Sequence, residues 1–144
     1  MNEQNQVKDI FLINGNQIQS EFIASFIDEQ FYSITKFFDG KKALDELMEN
    51  TDLSKVVVIS YQLKNINGLE IMQKLNDEGK NYAFIFLTAD KTVERAVEAM
   101  KSGALDFIPK TGDIETELPN LIDKAYKFQQ EKLEQDKIKK ELDE

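Results

Sequence analysis

Short, uninterrupted apolar runs alternate with longer amphipathic stretches along most of this 144-residue chain. Three of the runs, at residues 10–13, 56–59 and 84–87, have no polar alternation, which is typical of parallel strands covered on both faces. Strands that alternate with helices over short links form a parallel sheet with right-handed crossovers and helices on both faces. The pattern therefore predicts a three-layer α/β fold built from five βα units.

The same pattern predicts where each element begins and ends. We predict strands at residues 8–13, 33–38, 55–60, 82–87 and 105–109, with the more mixed second strand at an edge of the sheet. We predict helices at residues 17–30, 41–50, 68–78, 91–101 and from about 115 onward. Their apolar faces, read from three- and four-residue spacing, are Ile18, Phe22 and Phe26; Leu44, Leu47 and Met48; Leu69, Met72 and Leu75; and Val93, Ala96, Val97 and Met100.

The last predicted helix changes character near residue 128. Leu118, Leu121, Ala125 and Phe128 have the spacing of a face that packs on the sheet, whereas residues 129–144 are mostly charged. We therefore predict one domain over residues 1–128 and a charged helical extension or linker over residues 129–144. A solvated or frayed tail fits this segment, and so does a helix that connects to an output domain or a dimer partner.

Composition excludes several classes of function. The chain has no cysteine, which excludes disulfides and thiol chemistry, and no histidine, the commonest general base and metal ligand. A net charge of -9 with one arginine argues against binding to a nucleic-acid backbone. No apolar run approaches the roughly 18 residues of a membrane span, and residues 1–6 have no signal-peptide core. We therefore expect a cytoplasmic protein with no membrane or nucleic-acid partner.

Polar side chains stand where the predicted strands end. Asn14 and Gly15 follow the first strand, Ser60 ends the third, Thr88 follows the fourth and Lys110 follows the fifth. Ligands of open parallel sheets bind outside the carboxyl ends of the strands. We therefore take these five residues as the candidate site.

Four stretches that contain these ends, residues 10–16, 56–70, 84–89 and 103–110, resemble the receiver domain of two-component response regulators. Ser60 stands eight residues before Gly68, which is the family distance from the phospho-acceptor to the glycine that opens the third helix. The resemblance covers residues 8 to about 128. It implies a flavodoxin-like fold with strand order 2-1-3-4-5 and a regulatory function.

The resemblance also implies that the reaction of the family is lost. Family members end the first strand in two acidic residues that bind a divalent cation, and end the third in an aspartate that accepts a phosphoryl group. Asn14, Gly15 and Ser60 stand at these places, so we expect a degenerate pocket with no magnesium and no other cofactor. A serine hydroxyl without a general base is a weak nucleophile, and we expect no catalysis.

Other landmarks of the family persist. Thr88 matches the hydroxyl residue that moves toward the phosphoryl group; the alternative, which we favour, is a β-branched residue at a strand end that bonds its own backbone. Lys110 matches the lysine that pairs with the acceptor, and here it would bond to neutral oxygens of Asn14 and Ser60 or reach to water. Phe107 matches the switch aromatic, with plain packing as the alternative.

Pro109 departs from the family pattern. Family members place a proline after the lysine in a cis bond, whereas here Pro109 precedes Lys110 and Thr111 follows it. Since trans is the default for an X-Pro bond, we predict a trans bond between Ile108 and Pro109.

The resemblance implies a protein-interaction module in two-component or phosphorelay signalling that aspartyl phosphate does not switch. Its partners would be an output domain, a histidine kinase or another signalling protein, and a homodimer could form through helix four, strand five and helix five. An ordinary solvated surface is the alternative for that face. Its charged residues are Lys91, Glu94, Arg95, Glu98, Lys101, Asp106, Lys124 and Lys127.

Two other functions stay open at this point. One is a receiver phosphorylated at a shifted residue, Asp39 or Asp90. The other is a flavodoxin-like enzyme or cofactor-binding domain, which the fold alone does not exclude. Against the second, no Gly-rich phosphate loop follows the first strand, and a Ser/His/Asp set needs a histidine that the chain lacks.

Overall fold

The five strands form one parallel sheet in the order β2-β1-β3-β4-β5 in the computed structural model, which describes residues 8–89, 93–110 and 113–143. The strands are β1 (Lys8–Ile13), β2 (Tyr32–Phe37), β3 (Val56–Ser60), β4 (Ala83–Thr88) and β5 (Asp106–Pro109), and the helices are α1 (Gln17–Ala24), α2 (Gly40–Glu49), α3 (Gly68–Asp77), α4 (Val93–Lys101) and α5 (Ile114–Leu142). The predicted flavodoxin-like order is confirmed, and each strand lies within one residue of its predicted bounds. No helix in the described ranges is both long and apolar enough to cross a membrane.

The sheet is buried on both faces, as the uninterrupted apolar runs predicted. All five residues of β3 are buried, and so are all six of β4. Side chains of alternate strand residues enter two apolar clusters, one under α1 and α5 and the other under α2, α3 and α4. β2 lies at one edge with a mixed burial pattern, which confirms its predicted place.

Local signals in the sequence explain most of the helix bounds. Asn67 and Glu70 form a capping box at the start of α3, and the Asp39 side chain caps α2. Gly79 (φ +75°) and Gly103 (φ +109°) follow α3 and α4 in the left-handed conformation, which a residue with a side chain rarely adopts. These ends set the short links that return each helix to the next strand.

The first helix is shorter than its predicted range of 17–30, because it ends at Ala24. The Ser25 hydroxyl donates to the carbonyl oxygen of Phe22 at 2.6 Å, and the Asp28 side chain accepts from the backbone N–H of Gln30 at 2.9 Å. Short polar side chains that bond nearby backbone groups compete with helical hydrogen bonds. The prediction was wrong here because apolar spacing continues through Phe26 while the backbone turns.

The predicted apolar face of α1 was wrong at Ile18 and Phe22, whereas Phe26, just past the helix end, packs against the core. Ile18 is 83% exposed and Phe22 is 60% exposed, whereas Ser20 and Ile23 are buried against the sheet. Ser20 is small enough to lie against the end of β1, where its hydroxyl donates to the carbonyl oxygen of Asn14 at 3.4 Å. Periodicity gives the angle between apolar residues but does not say which of two stripes faces inward.

The predicted buried face of α4 is confirmed at Ala96 and wrong at Val97 and Met100. Ala96 and Ala99 are buried, while Val97 and Met100 are 42% and 43% exposed. The helix approaches the sheet through its small residues, because two alanines allow a closer contact than a valine and a methionine. The side chain of Val93 lies outside the part of the chain that the structure describes.

The last helix runs for 29 residues without a break at residue 128. Leu118, Ile122 and Ala125 pack on the sheet, and buried Gln129 donates to the carbonyl oxygens of Leu53 and Asn81 at 2.8 and 2.7 Å. Phe128, which was predicted to face the sheet, is 50% exposed instead. Residues 134–143 are exposed throughout, so the end of α5 projects beyond the amino-terminal edge of the sheet.

Candidate functional site at the carboxyl edge of the sheet

Parallel strands bring three of the predicted site residues to one edge of the sheet. Asn14 follows β1, Ser60 ends β3 and Lys110 follows β5. The Lys110 ammonium nitrogen donates to the Ser60 hydroxyl oxygen at 2.8 Å, although 50 residues separate them in the chain. The topology therefore places the lysine against the serine as the strand ends predicted.

Gln19 joins these residues into a network that the sequence reading missed. Its side-chain carbonyl oxygen accepts from the Lys110 ammonium at 2.8 Å and from the Asn14 amide nitrogen at 2.9 Å. The predicted contact of Lys110 with an Asn14 oxygen is replaced by this bridge. The available signal was the helix start, since the Asn16 side chain caps the Gln19 backbone N–H at 2.8 Å and so places that residue beside the strand end.

Every oxygen that the Lys110 ammonium contacts in this network is neutral. Asn14 is 2% exposed and Ser60 has no exposed surface, so the network lies in a desolvated environment. Burial lowers the pKa of Lys110 below its ordinary value of 10.5. Within residues 8–89, 93–110 and 113–143, no three acidic side chains converge where they could hold a metal ion.

We expect Lys110→Met to alter the pH dependence of stability. Because burial lowers the pKa of Lys110 on folding, the unfolded chain binds more protons than the folded chain as pH approaches 10.5. Stability rises with pH wherever the unfolded state binds more protons. The free-energy cost of burying Lys110 therefore falls as pH rises through this window. The free energy of unfolding, measured by urea titration from about pH 8 to about pH 10, should rise more for the wild type than for Lys110→Met.

Lys137→Met gives the baseline for that comparison. Lys137 lies on the exposed end of α5, so the substitution removes one lysine without touching the site. If the free energy of unfolding of Lys110→Met and that of Lys137→Met change with pH by the same amount, the desolvated placement of Lys110 is contradicted.

Gly68 holds the loop after β3 against the strand end. Its backbone N–H donates to the carbonyl oxygen of Tyr61 at 2.8 Å. A side-chain carbon at this position would lie 2.5 Å from the carbonyl oxygen of Ser60 and 3.0 Å from the Phe86 ring. Close packing therefore requires glycine at this position.

Thr88 and Phe107 lie next to this network on β4 and β5. Thr88 is 5% exposed, and its carbonyl oxygen accepts from the Lys110 backbone N–H at 2.7 Å. Phe107 is half-buried and borders a cavity of about 10 Å³ with Thr88, Tyr61 and Phe86. That volume holds about one water molecule.

The bond before Pro109 agrees with its prediction. No peptide bond within the described ranges is cis, so the Ile108–Pro109 bond is trans. Pro109 pairs with Thr88 in the register of β4 and β5. Because β5 is an edge strand, the N–H group that proline lacks is not needed for pairing with a further strand.

The charged residues predicted for the interaction face occupy neighbouring elements, with one exception. Glu94, Glu98 and Lys101 are exposed on α4, Lys124 and Lys127 are exposed on α5, and Asp106 is half-buried on β5 between them. Lys91 lies outside the described residues.

Arg95 is turned back toward the site from α4. Its guanidinium donates to the Tyr61 hydroxyl at 2.8 Å and lies 4.8 Å from the centre of the Tyr61 ring. Tyr61 is buried and follows Ser60 directly, so this contact links the predicted interaction face to the third strand end.

Of the two shifted acceptors, Asp39 lies away from Ser60. Asp39 accepts from the backbone N–H of Lys41 at 2.9 Å as the cap of α2, at the far side of β1 from Ser60. Asp90 lies outside the described residues.

Known proteins match the chain over most of its length. It is 30% identical over 105 residues to the transcriptional regulatory protein FixJ of Azorhizobium caulinodans, over 72% of this chain and 48% of that protein. It is 29% identical over 106 residues to the response regulator ArlR of Staphylococcus saprophyticus, over 74% of this chain and 47% of that protein. The chain thus spans about half the length of these curated relatives.

Solved structures share the fold. The receiver domain of the Francisella response regulator 1452 superposes with a TM-score of 0.75 and 27% identity, over 83% of this chain and 97% of that one. A CheY-like receiver domain protein from Methanospirillum hungatei superposes with a TM-score of 0.76 and 15% identity, over 88% and 99% of the two chains, and shows the fold alone. The response regulator receiver domain family matches residues 10–122, and this chain belongs to that family of two-component signalling domains.

Proposed function

We propose that this chain is a receiver-like interaction module that works in two-component or phosphorelay signalling without aspartyl phosphorylation. The observation that carries the proposal is the network at the carboxyl edge of the sheet, in which the Lys110 ammonium donates to neutral oxygens. Lys110 donates there to Ser60 and Gln19, at the place where the family resemblance implies an acidic acceptor and its metal.

The residues at this edge do not fit a magnesium ion. Magnesium takes octahedral oxygen ligands, usually with one or two carboxylates among them. The Asn14 side chain is already bonded to Gln19 and to the Asn16 backbone N–H, and Gly15 offers no side chain. The Lys110 ammonium, 2.8 Å from the Ser60 hydroxyl, would also repel a cation.

Ser60 does not replace the missing acceptor. Its hydroxyl has no exposed surface, so a phosphoryl donor cannot reach it in this conformation. The near neighbour at 2.8 Å is a lysine that donates to the hydroxyl rather than a carboxylate or histidine that would remove its proton. A buried serine that bonds a lysine therefore has a structural role at the floor of the pocket.

The face formed by α4, β5 and α5 is the proposed contact for an output domain, a histidine kinase or another signalling protein. Acidic Glu94 and Glu98 lie on the same helix as basic Lys101, and basic Lys124 and Lys127 lie on the neighbouring helix. Mixed charges on adjacent elements suit a complementary protein surface, including a second copy of this chain. Any ligand that shifts the conformation of this face must bind its two states with different affinity.

Phosphorylation in solution tests the proposal. After incubation with acetyl phosphate and magnesium, we expect the intact mass of the protein to be unchanged, because the network supplies neither a nucleophilic carboxylate nor a metal site. A phosphorylatable receiver domain treated in the same tube is the positive control. A stoichiometric phosphoryl adduct on this chain, at any residue, would contradict the proposed function.

A further inference from the structure

The exposed end of α5 carries an apolar stripe of its own. Phe128, Ile138 and Leu142 are 50%, 48% and 80% exposed. Together with Glu131 and Gln135 they fall at positions 128, 131, 135, 138 and 142, which is the alternating three- and four-residue spacing of a coiled-coil seam. We call these five positions the α5 seam.

The α5 seam points away from the sheet. At about 100° per residue, it lies roughly 120° around the helix from buried Leu118, Ile122 and Ala125. Lys124 of the proposed interaction face is on the same line, one turn before Phe128. A partner helix could therefore lie along the seam without meeting the domain that carries it.

We propose that two copies of this chain associate through the α5 seam as a parallel, in-register coiled coil. In that arrangement Ile138 faces Ile138 and Leu142 faces Leu142 of the second copy, so the apolar residues meet each other. Gln135 faces Gln135, and an uncharged polar pair within a seam favours one register. The inference does not depend on the state of the strand-end pocket.

Charge on the flanks of the seam favours the parallel direction. In a parallel pair Glu134 lies beside Lys139 of the second copy, and Lys127 lies beside Lys132, so one flank contact attracts and one repels, each made twice by symmetry. In the antiparallel pair that overlaps residues 131–142, Lys132 would lie beside Lys139 and Glu134 beside Glu141, so both flanks would repel. The seam itself would also pair Leu142 with Glu131 and Ile138 with Gln135, which places apolar side chains against polar ones.

Glu131 destabilises the parallel pair, because it faces Glu131 of the second copy. Like charges opposed across a coiled coil destabilise it, so Glu131→Leu should tighten the dimer at least tenfold. The variant tests a gain of association, which loss of folding cannot imitate.

Sedimentation velocity of the whole chain tests the association. Between about 10 and about 300 µM we expect the mass to rise from 16.6 kDa toward twice that value. Ile138→Asp with Leu142→Asp should hold the chain monomeric over the same range. Gln130→Asp, which adds a negative charge on the side of α5 away from the seam and removes no apolar seam residue, is the control and should dimerise as the wild type does. A wild type that stays monomeric, or a dimer that Ile138→Asp with Leu142→Asp leaves intact, would overturn the proposal.

Cross-linking distinguishes the two directions, since the chain has no cysteine of its own. Leu142→Cys should form a disulfide with its second copy under mild oxidation if the helices are parallel. In an antiparallel pair the two positions would be about 16 Å apart along the helices, too far for a disulfide. A mixture of Leu142→Cys and Glu131→Cys that cross-links only between the two variants would contradict the parallel arrangement.

Discussion

Asn14→Asp, Gly15→Asp and Ser60→Asp made together should create a magnesium site that the wild type lacks. The three positions surround the end of the central strand, and three carboxylates there would gather a divalent cation and relieve their mutual repulsion by doing so. Isothermal titration should give a saturable isotherm for the triple variant and none for the wild type. We expect an affinity ratio of at least tenfold, equivalent to about 1.4 kcal/mol.

The single variant Ser60→Asp is the control for charge alone. Its carboxylate would lie against the Lys110 ammonium, which is 2.8 Å from the present hydroxyl oxygen, and the ion pair would satisfy it without a metal. We therefore expect little or no magnesium binding from that variant. If the triple variant also fails to bind magnesium while it remains folded, the strand-end loops do not have the geometry that the fold implies.

Gly68→Ala should destabilise the fold by about 2 kcal/mol, because the added carbon meets backbone rather than a side chain that can move. The nearest atom is the carbonyl oxygen of Ser60 at 2.5 Å, and a real side-chain carbon does not approach so closely. Either the start of α3 or the end of β3 must shift. Urea unfolding at neutral pH gives the free energy directly.

Gly15→Ala is the matched substitution at the same edge of the sheet. Its added carbon would lie 3.7 Å from the carbonyl oxygen of Phe38, which is ordinary contact. We expect a change within about 0.5 kcal/mol. Equal losses for the two alanine variants would mean that close packing at Gly68 is not what holds the loop against the strand end.

The sheet could be predicted because its signals are local and redundant. Residues 56–59 and 84–87 are apolar without interruption, and that pattern has one common explanation, a strand covered on both faces. Asn67 and Gly79 mark the ends of α3 through capping chemistry that acts within a few residues. The strand order came from family resemblance, since periodicity does not say which strands are neighbours.

The faces of α1 and α5 could be predicted only in part. Ile18 and Phe22 have helical spacing yet lie in solvent, because Ser20 and Ile23 form a second stripe that approaches the sheet more closely. Phe128 was placed inward by the same rule and is half-exposed. Sequence spacing defines stripes, and only the packing of the neighbouring elements decides which stripe is buried.

The candidate site shows the same limit at the scale of single hydrogen bonds. Asn14, Ser60 and Lys110 were expected at one edge, because the carboxyl ends of parallel strands meet there. Gln19 was not expected, since its side chain reaches the site from the first turn of a helix and not from a strand end. The Arg95 contact with Tyr61 was missed for a similar reason, because the two residues are 34 positions apart and meet only in the folded chain.

The central claim is that neutral side chains occupy the place of the acidic site, and beryllofluoride with magnesium tests it most directly. This mimic of a phosphoryl group needs both an aspartate oxygen and a metal. In amide-resolved NMR spectra we predict that adding both leaves the backbone signals of Ser60, Thr88 and Lys110 unmoved. Saturable shifts of those three signals, seen only when magnesium and beryllofluoride are present together, would contradict the account.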